Sequence, residues 1–443
     1  MRTFRRLHHG VLVLAVVASV GVYWWQRPLL RTGTGYAAHN ACAVTHVAER
    51  DDPESDLPDN PLVPYLRSSE SEDEGVRSSI LGVLAAQKAW FTDGFGCTLA
   101  GERPDLGDAT TVDEAANPFA AAAPPSPSEE VTEAMAAAFG DDQTTDERAA
   151  LGTRAVVVLH GGELVAERYA DGFDADTPQL GWSMTKSVAS LLAGRLVHQE
   201  LLSVDDAGLR GEWDDGRADI TVEHLLRMTS GLVWDETYDL GTPITQMLYA
   251  EPDMADYVAS RESAHGPGSY QQYSSGSTNL LCDVMSEATG VRADLPRREL
   301  FAPLGLSSAV LEPDASGTPV CSSYMWATPR DWAAVGQLAL QDGVWEGERL
   351  LPEGWMEWST SVVDVDETED PAYAAGWWAN ELADGTLDDP LLPEDAYSAR
   401  GHDGQRIVVV PSEDLVVVRL GFTPELEEVG VSELTADLIE TLG

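Results

Sequence analysis

The amino-acid sequence predicts an α+β domain over about residues 118–443, with an antiparallel sheet that joins the two ends of the domain. At its start, two β-rich runs flank Gly161-Gly162, a turn typical of a β-hairpin. Near its end, the runs QRIVVVP and LVVVRLG flank a short SED connection and predict a second hairpin. Helical patterns dominate from 183 to about 360 and return from about 429 to 442. Strands at both ends with helices between them favour one sheet covered by helices.

The N-terminus is typical of an export signal that stays in the membrane. Arg2, Arg5 and Arg6 precede an uncharged span over residues 7–26, which includes VLVLAVVASVGVYWW. Twenty helical residues reach about 30 Å, enough to cross the core of a bilayer. Basic residues ahead of the span keep the N-terminus in the cytoplasm and place the rest of the chain outside. Because no small-x-small cleavage site follows, residues 1–26 are interpreted as a single-pass signal anchor, with a removed signal peptide as the alternative.

The next segment, residues 27–117, is acidic and proline-rich. Its stretch 50–77, RDDPESDLPDNPLVPYLRSSESEDEGVR, predicts a solvated and mostly irregular chain. The run NPFAAAAPPSPS at 117–128 is typical of a linker. The following SEEVTEAMAAAF predicts a helix, with Ser128 as its N-cap and glutamates in its first turn.

The four cysteines belong to a chain that is expected to lie in an oxidising compartment. There a Cys42–Cys97 bridge is plausible and would staple the N-terminal segment. Whether Cys282 and Cys321 pair stays open from the sequence. The chain has no CxxC pair and no HExxH motif, so a zinc site is not expected.

The charge balance excludes one class of partner. The chain has 27 basic against 75 acidic residues and a formal net charge of −48. Nucleic-acid binding needs a basic face, so nucleic acid is not expected as a partner. A surface adapted to high salt would have this composition, and so would arginine-biased codon usage combined with an acidic tail.

One of the two lysines stands three residues after a serine. Ser183 precedes the helical pattern that contains Lys186, and this spacing puts both side chains on one face. The positive end of the helix dipole favours an oxyanion near a first-turn serine. A lysine can act as a base when desolvation lowers its pKa, whereas an arginine does not deprotonate. S-x-x-K alone also fits a capped helix with a surface lysine, so other motifs have to decide.

Two further motifs follow in order: Y-S-S at 273–275 and H-x-G at 402–404. The order S-x-x-K, Y-S-S, H-x-G resembles the serine β-lactamase and penicillin-binding superfamily, on its class C, esterase and amidase side. The phrases LLRMTSGLVWDETY and YAAGWW extend the resemblance over most of 150–425, nearest to the 6-aminohexanoate-dimer hydrolase group. It implies a β-lactamase/transpeptidase-like fold, in which a central antiparallel sheet is flanked by helices and a helical subdomain.

The resemblance also implies roles for individual residues. Ser183 matches the nucleophile that forms an acyl-enzyme, and Lys186 with the phenol of Tyr273 matches the pair that moves the proton. The backbone N–H groups of Ser183 and Gln405 match the oxyanion hole. No cofactor takes part in this chemistry.

Four more residues match substrate-contacting positions in the family: Tyr238, Ser275, His402 and Gly404. A side chain at Gly404 would crowd the acyl group. β-Lactamases of this type carry asparagine at the place of Ser275 and a lysine at that of His402. A histidine is mostly neutral at pH 7 and gives no fixed cation for a β-lactam carboxylate. This departure argues against strong β-lactamase activity and favours small esters or linear amides.

The sequence therefore predicts a membrane-anchored serine hydrolase that faces outside and acts on small ester or amide substrates. A non-catalytic binding or sensor protein for cell-wall peptides is the alternative from another class. A third hypothesis is a structural protein whose working part is the acidic segment 27–117. The complete set of Ser183, Lys186 and Tyr273 argues for the hydrolase.

Overall fold

The N-terminal unit of the protein is built from one long helix and a small sheet. The computed structural model describes residues 2–58, 60–71, 74–365, 367–424, 426 and 429–443. Its first elements are α1 (Arg2–His46), β1 (Leu66–Ser71), β2 (Gly75–Ile80), β3 (Leu84–Thr92) and β4 (Gly96–Leu99). The four strands are antiparallel and lie in the order β1-β2-β3-β4.

Two predictions for this region are corrected by the structure. The helix that starts in the anchor does not end near residue 26 but continues to His46. The stretch 50–77 is not irregular throughout, because β1 and the first half of β2 lie in it. The strand pattern was hidden because β1 consists mainly of serines and charged residues, and a third of its pairing partner β2 is serine. The strands form against β3 and the packed half of α1, which no local pattern of the stretch records.

Helix α1 has two halves with opposite surroundings. Within the described residues, one helix is long and apolar enough to cross a membrane, and its span begins at Leu12. Side chains such as Leu14 and Val17 are exposed, whereas Ala38, Cys42 and others in the second half are buried against the sheet. The second half of α1 is therefore part of the hydrophobic core, and the first half is an exposed apolar helix that projects from the domain.

The larger unit follows α1 and its sheet. Its helices are α2 (Glu129–Ala138), α3 (Thr145–Leu151), α4 (Met184–His198), α5 (Val222–Leu226), α6 (Pro243–Ala250), α7 (Met254–Ala259), α8 (Ser275–Thr289), α9 (Ala302–Leu304), α10 (Pro329–Leu340), α11 (Trp355–Thr360) and α12 (Val431–Leu442). Its strands are β5 (Thr153–His160), β6 (Glu163–Tyr169), β7 (Gln179–Leu180), β8 (Val310–Leu311), β9 (Met325–Ala327), β10 (Val344–Trp345), β11 (Glu348–Arg349), β12 (Trp378–Ala379), β13 (Tyr397–Gly401), β14 (Gln405–Val410) and β15 (Leu415–Gly421). As predicted, Ser128 caps α2 by accepting the Val131 N–H.

The main sheet joins the two ends of this unit, which confirms the predicted α+β class. Its order is β12-β13-β14-β15-β5-β6, with antiparallel neighbours throughout. Both predicted hairpins, β5–β6 and β14–β15, are present. Alternate residues of a strand point to opposite faces. Val157 and Val416 thus pack in the cluster of α4 and α10, and Val158 and Val417 pack with α2 and α12 on the other side.

A buried carboxylate connects the two units. Glu312 is fully buried and accepts the backbone N–H of Cys97 in β4 at 2.7 Å and the indole N–H of Trp326 in β9 at 3.1 Å. His39 of α1 places its Nε2 2.8 Å from the same carboxylate. Because a buried carboxylate needs its partners, these contacts tie helix α1 and its sheet to the larger unit.

All four cysteines form disulfides in the structure. The predicted Cys42–Cys97 bridge is confirmed and joins α1 to β4. Cys282 in α8 is bonded to Cys321, a pairing that the sequence left open. Both bridges link segments that are far apart along the chain.

We expect loss of the Cys42–Cys97 bridge to destabilise the N-terminal unit. Replacing both cysteines by serine frees a loop closed over 55 residues. The chain-entropy model gives a loss of about 4 kcal/mol in the free energy of unfolding. Guanidinium unfolding of the full chain in detergent measures it, with Thr98→Ser as the neighbouring control. A loss below about 1 kcal/mol would mean that other contacts already constrain the loop.

Candidate active site

Ser183 lies at a strained turn between a strand and a helix. Strand β7 leads through Gly181 to Trp182, whose φ of 49° lies in the left-handed region. Ser183 is then the N-cap of α4, and its side chain makes no capping hydrogen bond there. A bulky residue holds such a backbone only when its surroundings enforce it. Here a Cβ on Gly181 would meet the Trp332 ring at 2.2 Å, so the turn is packed tightly from behind.

Lys186 is buried one turn into α4, with 2% of its surface exposed. Its Nζ lies 2.9 Å from Ser183 Oγ, 2.9 Å from Ser275 Oγ and 3.2 Å from the carbonyl oxygen of Ser322. Burial disfavours the ammonium form and lowers the pKa of Lys186 to about 8, against the opposing charge of Glu236. A substantial fraction of this amine is therefore neutral near physiological pH.

Tyr273 completes the group around the serine. It lines the same cavity as Ser183, and Lys186 Nζ lies 4.6 Å from the centre of its ring. Burial raises the pKa of Tyr273 well above its ordinary value. The phenol thus stays protonated where Lys186 is already neutral. Of the two side chains, the lysine is the group that can accept a proton.

Glu236 is a site residue that sequence reasoning missed. Its carboxylate accepts the Ser275 backbone N–H at 2.9 Å, the Ser275 hydroxyl, and the Trp234 indole N–H at 2.5 Å. It lies two residues before Tyr238, in the matched phrase WDETY. Its place in this phrase was the only indication in the sequence. No spacing rule predicts that a carboxylate in a loop contacts a helix that begins about forty residues later.

The three partners of Lys186 determine where its lone pair points. A neutral amine has two N–H donors and one lone pair. The Ser322 carbonyl can only accept, and Ser275 donates its own proton to Glu236, so it also accepts from Lys186. Both N–H groups are then used, and the lone pair is left for the hydroxyl proton of Ser183. The geometry can therefore deprotonate the serine.

Ser275 is not a substrate contact, which corrects one prediction. The residue is fully buried, and its hydroxyl is held between Lys186 and Glu236. A serine that replaces a longer asparagine sits deeper, so it reaches the lysine and not the cavity. Its place at the first turn of α8 aims it at α4.

His402 and Tyr238 both line the cavity. Their rings stack at 4.8 Å between centroids with 9° between planes. The edge of Trp182 packs against both rings. His402 follows the end of β13, and its imidazole Nε2 lies 3.4 Å from Asp403 Oδ1. The wall is thus an aromatic stack beside the serine.

The predictions for Gln405 and Gly404 are wrong. The backbone N–H of Gln405 donates to the His402 carbonyl, so it is not free for an oxyanion. The Gln405 amide is buried and pairs with the backbone of Gly421. A Cβ on Gly404 would meet Arg419 Nη1 at 2.5 Å, away from the acyl site, and its φ is +82°. Both residues lie behind the cavity because a short 3₁₀ turn, His402–Gly404, reverses the chain there.

Gly401 is the glycine that faces the nucleophile turn. A Cβ at this position would come 2.1 Å from the carbonyl oxygen of Gly181. Only a glycine therefore lets the end of β13 approach the turn that carries Ser183. The H-x-G motif drew attention to Gly404, three residues later, because the sequence does not reveal the reversal between them.

Ser183, Tyr273, Tyr238 and His402 open onto a cavity of about 880 Å³. The remaining wall residues include Trp234, Glu236, Gln272, Glu369, Asp370, Trp378, Arg400 and Arg406. With Asp235 included, the walls carry four carboxylates and two guanidinium groups. The volume suits a small molecule of mixed polarity.

A family model described as Beta-lactamase matches residues 134–436. The chain belongs to the beta-lactamase family. It is a serine hydrolase, which confirms the resemblance inferred from the motifs, and its fold is the β-lactamase/transpeptidase-like one.

Individual proteins similar to this beta-lactamase family member are named as amide and ester hydrolases. The 6-aminohexanoate-dimer hydrolase of Paenarthrobacter ureafaciens is 26% identical over 303 residues, which are 62% of this chain and 73% of that protein. A D-aminopeptidase of Brucella canis is 30% identical over 191 residues, which are 40% of this chain and 36% of that protein. A solved family VIII carboxylesterase superposes with a TM-score of 0.54 and 16% identity, covering 71% of this chain and 98% of that one. This last likeness shows the fold.

We expect ester hydrolysis to follow the protonation of Lys186. Because the neutral amine is the reactive form, kcat/KM should rise about tenfold per pH unit below a midpoint near the pKa of about 8 and level off above it. Initial rates on a short-chain p-nitrophenyl ester measure the profile. Lys186→Arg should lose the activity, because a guanidinium does not deprotonate. A midpoint near pH 6, or an active Lys186→Arg, would point to a different base.

Proposed function

We propose that this protein is a membrane-anchored, externally facing serine hydrolase that cleaves small esters or linear amides through an acyl-enzyme on Ser183. The observation that carries the proposal is the buried amine of Lys186, whose N–H groups are both used and whose lone pair faces Ser183 Oγ at 2.9 Å. Such an arrangement activates a serine without a metal or an organic cofactor.

In acylation, the Ser183 proton is passed in steps to the leaving group while Ser183 replaces that group on the acyl carbon. Lys186 Nζ takes the hydroxyl proton while Ser183 Oγ bonds to the substrate carbonyl carbon, which gives a tetrahedral oxyanion. Tyr273, which lines the cavity beside Ser183 and Lys186, passes its phenolic proton to the leaving oxygen or nitrogen and recovers a proton from Lys186. Water then attacks the acyl carbon with the same groups acting in reverse, which releases the acid and restores the serine.

The oxyanion is proposed to sit between the backbone N–H groups of Ser183 and His402. Ser183 is at the N-terminus of α4, where the helix dipole favours negative charge. His402 replaces Gln405 in this role because the Gln405 N–H is already engaged, and because Gly401 lets β13 end beside the nucleophile turn. Ser183 and His402 line the same cavity.

The cavity walls support a small polar substrate. Glu369 and Asp370 in the wall suit a cationic group of the substrate, and Arg400, which also pairs with Asp388, suits an anionic one. The relatives named above act on a linear amide dimer and on D-amino-acid peptides by their names, which agrees with an open-chain amide as well as an ester. His402, at the place of the β-lactamase lysine, is not a fixed cation.

The location is proposed from α1. Its exposed apolar half extends into a buried half that packs in the domain, so the span is continuous with the fold. Residues 1–26 would act as the anchor, 27–117 as the unit that joins it to the hydrolase, and 118–443 as the hydrolase domain. The two disulfides suit the oxidising side of the membrane.

We expect Ser183→Ala to abolish turnover and adduct formation together. Hydrolysis of a p-nitrophenyl ester should fall by about 10³-fold or more, because the covalent route is lost. Intact mass after a rapid quench should show an acyl adduct in the wild-type protein and none in the variant. A folded wild-type protein with neither release nor adduct would favour the non-catalytic binding protein.

We expect Glu236→Gln, a substitution in the cavity wall, to disturb the base through Ser275. A glutamine amide cannot accept from all three donors of Glu236. The Ser275 hydroxyl is then no longer held towards this position, and the lone pair of Lys186 is no longer directed at Ser183. The plateau of kcat should fall about ten- to a hundredfold, the order expected for a misdirected base. The midpoint of the pH profile should also move to lower pH, because Glu236 raises the pKa of Lys186.

The matched control for this variant is Asp235→Asn. Asp235 is the exposed neighbour that bonds the Thr237 N–H at 2.9 Å, and its neutralisation removes the same charge from the loop. A plateau and a midpoint that change equally in both variants would show a general charge effect and contradict the positioning role of Glu236.

A further inference from the structure

The turn between β2 and β3 is unusually apolar for an exposed turn. Residues 81–84 read LGVL, and Leu81 and Val83 are 60% and 73% exposed. Turns at a protein surface are normally built from polar residues and glycine. Leu81, Val83 and Leu84, which we name the 81–84 tip, therefore form an exposed apolar patch.

The 81–84 tip lies beside the outer end of the α1 span. The backbone N–H of Ala85 donates to the Tyr23 hydroxyl at 3.2 Å, and Thr34 Oγ1 donates to the Ala85 carbonyl at 2.6 Å. Tyr23 precedes Trp24 and Trp25, which are exposed. Tyrosine and tryptophan at the end of an apolar helix lie at the headgroup level of a bilayer. The tip is thus held at that level by a direct hydrogen bond.

The charge around the 81–84 tip matches an anionic lipid surface. The chain has 75 acidic residues, yet neither residues 2–48 nor residues 75–92 contain an aspartate or a glutamate. The charges next to the tip are cationic: the Arg77 guanidinium bonds the Gly82 carbonyl at 3.3 Å. An acidic surface elsewhere is repelled by anionic headgroups, and this face is the exception.

We propose that the 81–84 tip enters the headgroup layer of the membrane as a second contact beside α1. This inference rests on α1 spanning the bilayer. A single helix lets a domain tilt about its exit point, whereas two contacts restrict the tilt.

The second contact would hold the hydrolase cavity at a fixed distance from the membrane surface. Tyr36 is eleven residues beyond Trp25, about 16 Å along α1. Its ring packs against Trp182, next to Ser183, with 6.3 Å between centroids. The nucleophile turn thus packs against the same helix that would cross the membrane.

The test places an environment-sensitive fluorophore on the tip. Val83→Cys is labelled in the full chain, because all four native cysteines are in disulfides. The protein is reconstituted into vesicles of phosphatidylcholine and phosphatidylglycerol. Glu70→Cys is the control, on the exposed strand β1 of the same sheet and about 17 Å from the tip along the strands.

The expected result is a blue-shifted emission at position 83 and strong quenching by lipids that carry a shallow spin label. The label at position 70 should stay solvent-like and be quenched little. A label at 83 as solvent-like as the one at 70, in protein that floats with the vesicles, would overturn the tip contact and leave the anchor intact. Protein that does not float with vesicles would overturn both. Ester hydrolysis by the labelled protein reports separately on the proposed function.

Discussion

The amine of Lys186 is the group on which the rest of the site depends. It is out of water, and its reactivity rests on which neighbour takes each of its hydrogens. Its two acceptors come from different elements: Ser275 begins α8, and Ser322 precedes β9. Asn279 of α8 accepts the Ser322 N–H at 3.0 Å, and the Cys282–Cys321 bridge joins the same two segments. These contacts fix the positions of both acceptors relative to each other and to Lys186.

The turn that carries Ser183 is braced from two sides. Trp332 packs behind Gly181, and β13 ends against the same turn through Gly401. Trp182 adopts a left-handed backbone that a free chain would avoid, so this packing stabilises a conformation with its own cost. The rigid turn holds the serine oxygen beside a lone pair, which a mobile loop would do only part of the time.

The N-terminal unit belongs to this bracing. Helix α1 brings Tyr36 to the back of Trp182 and His39 to Glu312, and Cys42 bonds to β4. A segment that composition describes as an acidic extension is therefore partly core. Removing it would expose apolar surface of the hydrolase and would not only release the protein from the membrane.

Local patterns were enough for the hairpins at both ends of the domain, for the serine and lysine on one helical face, and for the apolar span. Each of these is decided by residues close together in the chain, where the periodicity of apolar residues and the turn residues determine the local structure. The family resemblance drew attention to Tyr238 and His402, and only the structure showed that their rings stack.

Tertiary structure alone decided which backbone N–H is free beside the serine, where Ser275 points, and that Glu236 supports the lysine. These depend on a chain reversal after Gly401 and on contacts between segments many residues apart, which no periodicity encodes. Strands β1 and β2 of the N-terminal sheet also depend on such contacts, because their own residues are too polar to predict a strand. The sequence alone determined the chemical groups of this hydrolase, and the packing of distant segments decided which of them meet.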